Sequence, residues 1–357
     1  MNIKSIFLNL TLFGCLQFSS ITNAAEPGEG IVFDPLTGNY TVSYFVELDD
    51  GSKLLQKTFF EPATKIDPSV QSKFRLDGGN AVLYRYTVSS GDRSQQVLGT
   101  VRLDLIARIS GVQELPTTIT AATEMQAASV IDANRRALAT PLGWDGSTHS
   151  SQPGKVRVSW DTMGGKGIQP GNALTGFGFS SLDIPGIGTA QFVGNRKRVT
   201  TYAGEGPQGD VKQQFDALQQ KDFVPRNAAV PMVTVPTPFD PAVTLERIQT
   251  HMHTWIGMQL LDATFSAQLD RSFQSAISAY RLNQPKVGKK QIQTMRELLK
   301  KEHADADRGD DNDDRGEKGD HADKNKTQRA LIDKLAARIL DFDLKYVMKR
   351  AGGDKDD

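Results

Sequence analysis

Apolar and polar positions alternate with a period of two through residues 28–203, and after residue 241 the apolar positions recur at helical spacing. The first pattern is typical of strands with one buried face, and the second of amphipathic helices. Runs rich in β-branched and aromatic residues predict strands at residues 40–46, 54–60, 81–88, 97–109, 155–160, 174–179, 189–193 and 198–202. Glycine- and aspartate-rich turns separate them, so we expect a β-sandwich. Residues 121–139 are Ala-rich and predict one short helix.

Four apolar stripes follow the change of period. The first begins after Asp240-Pro241, an N-cap residue followed by proline at the first helical position. The stripes are Leu245, Ile248, Met252 and Trp255; Phe265, Leu269, Phe273, Ile277 and Tyr280; Ile292, Met295 and Leu299; and Leu331, Leu335, Ile339, Phe342 and Tyr346. Because each stripe is backed by a polar face, the four segments predict a small helical bundle.

These patterns predict a multidomain protein of β-then-α class. We expect the sandwich at residues 28–203 and the bundle at residues 242–351. Residues 204–241 contain one helical pattern at 211–220 and then five prolines within 17 residues. That composition predicts a Pro-rich connector, extended and semi-rigid.

One stretch near the end of the β region resembles a known family. Residues 168–181 read IQPGNALTGFGFSS, and Ile184-Pro185-Gly186 follows. With Trp144 and Trp160 before it, this stretch is similar to the closing part of immunoglobulin-like sandwich domains in secreted bacterial proteins. The helical stripes resemble the small C-terminal helical modules of the FIMAH type. Both resemblances imply fold, and fold alone does not imply function.

The first 24 residues have the order of a secretory signal peptide. One lysine precedes an apolar run at residues 6–18, and small residues follow up to Ala24. The run is shorter than the roughly 20 residues that a spanning helix needs. We therefore expect cleavage, a secreted or periplasmic location and no transmembrane anchor. The alternative is a lipoprotein anchored at Cys15, because residues 12–15 (LFGC) resemble a bacterial lipobox.

Charge and cysteine content exclude several classes of function. The 357 residues carry 42 Lys and Arg against 42 Asp and Glu, and this balance argues against nucleic-acid binding. Cys15 is the single cysteine and lies in the predicted signal peptide. A processed chain would then have no thiol for a disulfide, a cysteine-based zinc site or a cysteine nucleophile.

Residues 301–325 form an acidic insert within the helical region. The insert holds ten acidic and five basic residues and no apolar side chain larger than alanine, so it favours a disordered linker. The alternative is a calcium loop, since the insert presents alternating oxygen ligands. These candidate ligands are Asp305, Asp307, Asp310, Asn312 and Asp314. Unlike an EF-hand, the insert has Arg315 at the turn glycine and His321 in place of the final glutamate.

Few residues suggest catalysis. His251 and His253 are two apart in a predicted helix, about 200° around its axis, and cannot share one metal. His149 lies in a polar segment, predicted as a loop, whose hydroxyl groups could supply a nucleophile, but no Gly-x-Ser-x-Gly elbow is present. Residues 195–198 (NRKR) form a basic cluster at a sheet edge that could contact an anionic glycan or lipid headgroup.

From these observations we expect an exported, non-enzymatic binding or structural protein. Its sandwich would display a surface for a carbohydrate, a cell-envelope polymer or a protein partner. One alternative is an extracellular hydrolase acting from sandwich loops around Trp144 and His149. The other is a structural protein stabilised by calcium, the one cofactor that the sequence suggests.

Overall fold

A computed structural model describes residues 25–105, 127–131, 137–152, 155–162, 165–307 and 330–352. Within them the chain forms thirteen strands and five helices, and four of the helices follow the last strand. This order confirms the β-then-α class. The chain divides into two compact units: unit 1 is Met1–Pro62 with Arg198–Lys221, and unit 2 is Ala63–Lys197 with Asp222–Asp357.

Unit 1 consists of a three-stranded antiparallel sheet and one helix. Its elements are β1 (Gly30–Asp34), β2 (Asn39–Glu47), β3 (Lys53–Phe60) and α1 (Gly209–Gln220), with strand order β1-β2-β3. The period of two places Val42, Tyr44 and Phe60 on one face of the sheet, where they pack with Val211 and Phe215 of α1. The rings of Phe60 and Phe215 meet edge to face at 5.2 Å.

Unit 2 contains two five-stranded antiparallel sheets. Its strands are β4 (Pro68–Leu76), β5 (Val82–Ser90), β6 (Leu98–Leu105), β7 (Ala127–Ile131), β8 (Ala137–Pro141), β9 (Trp144–Gln152), β10 (Lys155–Thr162), β11 (Ala173–Ser181), β12 (Ile184–Gly194) and β13 (Val224–Val233). The strand orders are β4-β5-β11-β8-β7 and β13-β12-β6-β10-β9. The chain crosses from one sheet to the other after β5, β6, β8, β10 and β11, so four of the eight pairs of neighbouring strands are not consecutive in the chain.

The two sheets of unit 2 share one apolar core. Phe179 of β11 and Trp160 of β10 stack across it with ring centroids 6.4 Å apart, and both side chains are fully buried. Tyr86 of β5 donates a hydrogen bond from its hydroxyl to the carbonyl of Ala229 on β13 at 2.8 Å. The one polar atom of the buried Tyr86 side chain is thus paired across the sheets.

The four C-terminal helices belong to the same unit as the sheets. They are α2 (Pro241–Gly257), α3 (Ala263–Arg281), α4 (Pro285–Asp307) and α5 (Lys334–Ala351). Asp240, Asp262 and Asp333 cap α2, α3 and α5 by accepting hydrogen bonds from backbone N–H groups of the first turn. Helices α2 and α5 pack on β13 and β12, so the helices and the sheets bury their apolar faces together.

One buried carboxylate joins the points at which the chain enters, leaves and re-enters unit 2. Asp222 accepts a hydrogen bond from the backbone N–H of Ala63 at 2.7 Å, and its second oxygen pairs with the guanidinium of Arg196. The Asp222 side chain is 4% exposed. Arg196, predicted as part of a basic surface cluster, therefore takes part in an internal ion pair.

Three local predictions differ from the structure. Within the described parts of residues 121–139, the chain forms strands β7 and β8 and no helix. Residues 198–202 form no strand. The predicted connector, residues 204–241, contains the edge strand β13, whose prolines Pro225 and Pro231 are tolerated because an edge strand has one unpaired side. The predicted domain boundaries stay predictions.

No helix in the described parts of the chain combines the length and apolarity needed to cross a membrane. The predicted signal peptide at residues 1–24, including Cys15, lies outside the described residues.

Candidate functional site

A cavity of about 750 Å³ in unit 2 lies between edge strand β4 and helices α4 and α5. Four cationic residues line it: Arg75 of β4, Lys289 of α4, and Lys345 and Lys349 of α5. Lys345 and Lys349 are four residues apart and so lie on one side of their helix. No Asp or Glu is among the described residues that line this space. We refer to it as the basic cavity.

The floor of the basic cavity is apolar. Phe74, Leu76, Phe342 and Met348 line it, and each of these side chains is half-buried. The rings of Phe74 and Phe342 meet edge to face at 5.2 Å, which fixes the contact between β4 and α5. The cavity therefore combines an apolar surface with a positively charged rim.

Further cations stand over the aromatic rings around the cavity. The guanidinium carbon of Arg338 lies 5.6 Å from the ring centroid of Phe74, and that of Arg350 lies 5.5 Å from the ring of Tyr346. Arg350 also donates a hydrogen bond to the Tyr346 hydroxyl at 2.7 Å. These contacts hold the arginines in place by cation–π attraction and extend the positive field beyond the rim.

One rim cation is balanced by a neighbouring carboxylate. Asp341 accepts from Lys345 at 2.6 Å and from Arg296 at 2.7 Å. Burial acts to raise the pKa of Asp341, but the hydrogen bonds from Lys345 and Arg296 outweigh it and hold the pKa below its usual value. Asp341 thus stays ionised and partly neutralises Lys345, while Arg75 and Lys349 have no described carboxylate within ion-pair distance.

On the core side of α5, Asp343 is a buried acid of a different kind. Its side chain is 1% exposed, and its Oδ1 atom has no hydrogen-bond partner among the described residues. Burial raises the pKa of Asp343 well above the ordinary value. Burial therefore favours the neutral form of this carboxyl group over the carboxylate.

The predicted calcium ligands are only partly within the described residues. Asp305 and Asp307 belong to the last turn of α4, whereas Asp310, Asn312 and Asp314 lie outside the described part of the chain. Among described residues, no group of three or more His, Cys, Asp or Glu side chains is arranged to hold a metal ion. The calcium loop stays a prediction.

The segment containing His149 is a strand, β9, rather than the predicted loop. Its alternation places Ser147 and His149 on the same outer face, with the serine hydroxyl 2.9 Å from His149 Nε2. The nearby Asp104 is bound by Arg157 through two hydrogen bonds at 2.7 and 3.2 Å. In the described structure no carboxylate contacts His149, so the hydroxyl–imidazole pair lacks the third group of a catalytic triad.

The two helical histidines face different elements. His251 Nε2 accepts a hydrogen bond from the backbone N–H of Ile187 on β12 at 3.0 Å, and its ring packs against Trp255. His253 Nε2 lies 2.8 Å from Asp270 of α3. Burial lowers the pKa of His251 to about 4, so it is neutral and structural at neutral pH. The separation expected from helical geometry is confirmed.

Sequence reasoning missed the basic cavity because its cations come from three elements that are far apart in the chain. A weak signal was present in α5, where Lys345 and Lys349 share one helical side. The position of Arg75 on an edge strand next to α5 follows only from the packing of helix on sheet.

Comparisons with protein family models, with curated proteins and with solved structures found no match to this chain.

Proposed function

We propose that this chain is an exported, non-enzymatic binding protein that holds an anionic ligand in the basic cavity. The observation that carries the proposal is a cavity that four Lys and Arg residues line and that no described acidic residue lines. Its volume of about 750 Å³ lies within the range of small-ligand sites. Anionic glycans, cell-envelope polymers and acidic protein segments, the classes of partner expected from the sequence, all carry the complementary charge.

The lining residues favour binding over turnover. Hydrolysis needs a nucleophile or a general base next to the bond that is cleaved. The cavity is lined by cationic, apolar and amide side chains, and the Tyr346 hydroxyl is engaged by Arg350. The pair of Ser147 and His149 has no described carboxylate as a third group. It therefore supports the hydrolase alternative less than the basic cavity supports a binding function.

An immunoglobulin-like sandwich is part of the same proposal. Two facing antiparallel sheets with repeated crossings between them support it. The five-plus-five strand arrangement is larger than the seven-stranded, four-plus-three pattern of an immunoglobulin constant-type domain. The resemblance would therefore concern the architecture and not the order of every strand.

The proposal is tested by removing two rim charges at once. Arg75→Gln with Lys349→Gln should weaken binding of anionic ligands at least tenfold, and the wild-type affinity should fall as salt is added. Lys290→Gln with Lys300→Gln is the matched control, because both lysines are exposed on α4 and neither lines the cavity. Equal affinities of the two double variants, or conversion of the ligand to product, would contradict the proposal.

A further inference from the structure

We infer that the ligand of the basic cavity is a single-chain anionic amphiphile, with its hydrocarbon chain on the apolar floor and its carboxylate, phosphate or sulfate headgroup at the cationic rim. This inference rests on the proposed function and specifies its ligand. It follows from the chemistry of the floor, the placement of the cations and the scarcity of hydrogen-bond acceptors around them.

The floor is suited to hydrocarbon. Phe74, Leu76, Phe342 and Met348 present carbon and sulfur atoms, and methionine adapts to chains of irregular shape. Each of these side chains is half-buried and still exposes part of its apolar surface. A hydrocarbon chain that covers them therefore removes apolar surface of both protein and ligand from water. Each added methylene should therefore tighten binding about fourfold until the floor is covered.

The same floor is poorly suited to a sugar. Sugar hydroxyl groups that leave water need acceptors in the protein, and carboxylates and amides are the usual ones. Among the described residues that line the cavity, Gln293 has the one amide side chain, and none has a carboxylate. A glycan would thus lose hydrogen bonds to water that the cavity does not replace.

The rim is suited to one compact anionic group. Arg75 of β4, Lys289 of α4 and Lys349 of α5 line the cavity, so its cationic residues belong to three elements. Guanidinium binds the oxygens of a carboxylate or phosphate in pairs, and lysine adds a point charge. An anionic headgroup at the rim would be attracted by Arg75 and Lys349, for which no described carboxylate lies within ion-pair distance.

The experiment measures binding of saturated fatty acids from eight to fourteen carbons, below their micelle concentrations, to the full chain by calorimetry. We expect affinity to rise about fourfold per methylene and then to level off, and we expect the methyl esters to bind at least tenfold more weakly than the acids. Dodecyl sulfate and dodecyl phosphate monomers should bind like dodecanoate, because the rim recognises charge.

A sulfated oligosaccharide and inorganic phosphate complete the panel. If the oligosaccharide binds and the fatty acids do not, or if chain length has no effect, the amphiphile inference is wrong while the proposed function stands. If no anion binds, both are overturned.

A negative charge introduced at the rim distinguishes binding in the cavity from binding elsewhere on the surface. Gln293→Glu adds a carboxylate to the lining with almost no change in volume and should weaken dodecanoate binding about tenfold. Gln268→Glu makes the same change on an exposed position of α3 and should leave binding unchanged. Gln293→Leu should retain the wild-type affinity. Equal effects of the two Glu variants would refute binding in this cavity.

Discussion

At the scale of single residues, Asp343 shows how a carboxyl group can oppose the fold that contains it. Its folded-state pKa is raised by burial, whereas the unfolded chain has the ordinary value near 3.8. Between these two values the folded protein retains a proton that the unfolded chain has lost. The contribution of Asp343 to stability therefore declines as the pH rises above about 4.

We expect Asp343→Asn to stabilise unit 2 at pH 7, because it removes the group that must be held protonated. The gain should shrink as the pH is lowered towards 4. Urea denaturation at several pH values measures it, and Asp145→Asn on the outer face of β9 should change stability by less than about 0.5 kcal/mol. A loss of stability at pH 7 in the Asp343 variant would show that the carboxyl group has a partner which the amide cannot replace.

His251 has the opposite dependence on pH. Its pKa falls from 6.5 to about 4 on folding, so the unfolded chain takes up the proton first as the pH is lowered. Stability is thus fully retained above pH 6.5 and decreases between 6.5 and 4, by up to about 3 kcal/mol. In the His251→Gln variant, the midpoint of urea denaturation should change less with pH between 4 and 6.5.

At the scale of elements, the helices were the most predictable part of the chain. Their stripes and caps are local, and α2 begins after Asp240 as its sequence indicates. Strands β9 and β13 were missed because polar residues fill the outer face of β9 and prolines interrupt β13. Whether such segments pair depends on neighbouring strands that are distant in sequence, which local patterns do not record.

Substitution of an N-cap residue measures how much that residue contributes to the stability of the fold. Asp262 accepts hydrogen bonds from the backbone N–H groups of Thr264 and Phe265 at 2.8 and 3.1 Å. Asp262→Ala should lower the free energy of unfolding by about 1 kcal/mol, and Asp262→Ser should restore most of it. Thermal denaturation followed by circular dichroism distinguishes the two variants. Equal melting temperatures for Ala and Ser would show that the cap does not contribute.

At the scale of the whole molecule, no local pattern predicted that unit 2 would contain both the sheets and the four helices. The change of period near residue 241 suggested a boundary, but α2 and α5 bury their apolar faces on β13 and β12. The candidate site depends on this contact, since β4 supplies Arg75 and α5 supplies Lys349. The spacing of apolar residues predicts the type of one helix or strand. It does not show which other element covers the apolar face.

Substitution of Asp222 measures how much its buried contacts stabilise the points at which the chain enters and leaves unit 2. Asp222→Ala removes the ion pair with Arg196 and the acceptor of the Ala63 N–H, and should destabilise unit 2 by about 3 kcal/mol. Asp216→Ala removes an exposed pair with Lys212 and should cost less than about 1 kcal/mol. Chemical denaturation measures both, and similar losses would show that the Asp222 pair contributes no more than a surface pair.

The predicted calcium loop is also testable on the full chain. If Asp310 and Asp314 ligate calcium, millimolar calcium should raise the melting temperature by mass action, and the double change to Asn should abolish the rise. Magnesium at the same concentration is the control for ionic strength. An unchanged melting temperature in calcium would leave the linker interpretation of the insert.

The route of the chain through unit 1 sets an order of events during synthesis. Strands β1 to β3 are made first, yet Val211 and Phe215, which complete their core, follow about 150 residues later. Until α1 has emerged from the ribosome, Val42, Tyr44 and Phe60 have no helix to cover them, and contacts of such long range form slowly. The first apolar strands of the nascent chain thus stay uncovered while about 150 further residues are made, which gives a chaperone that binds exposed apolar segments time to act on them.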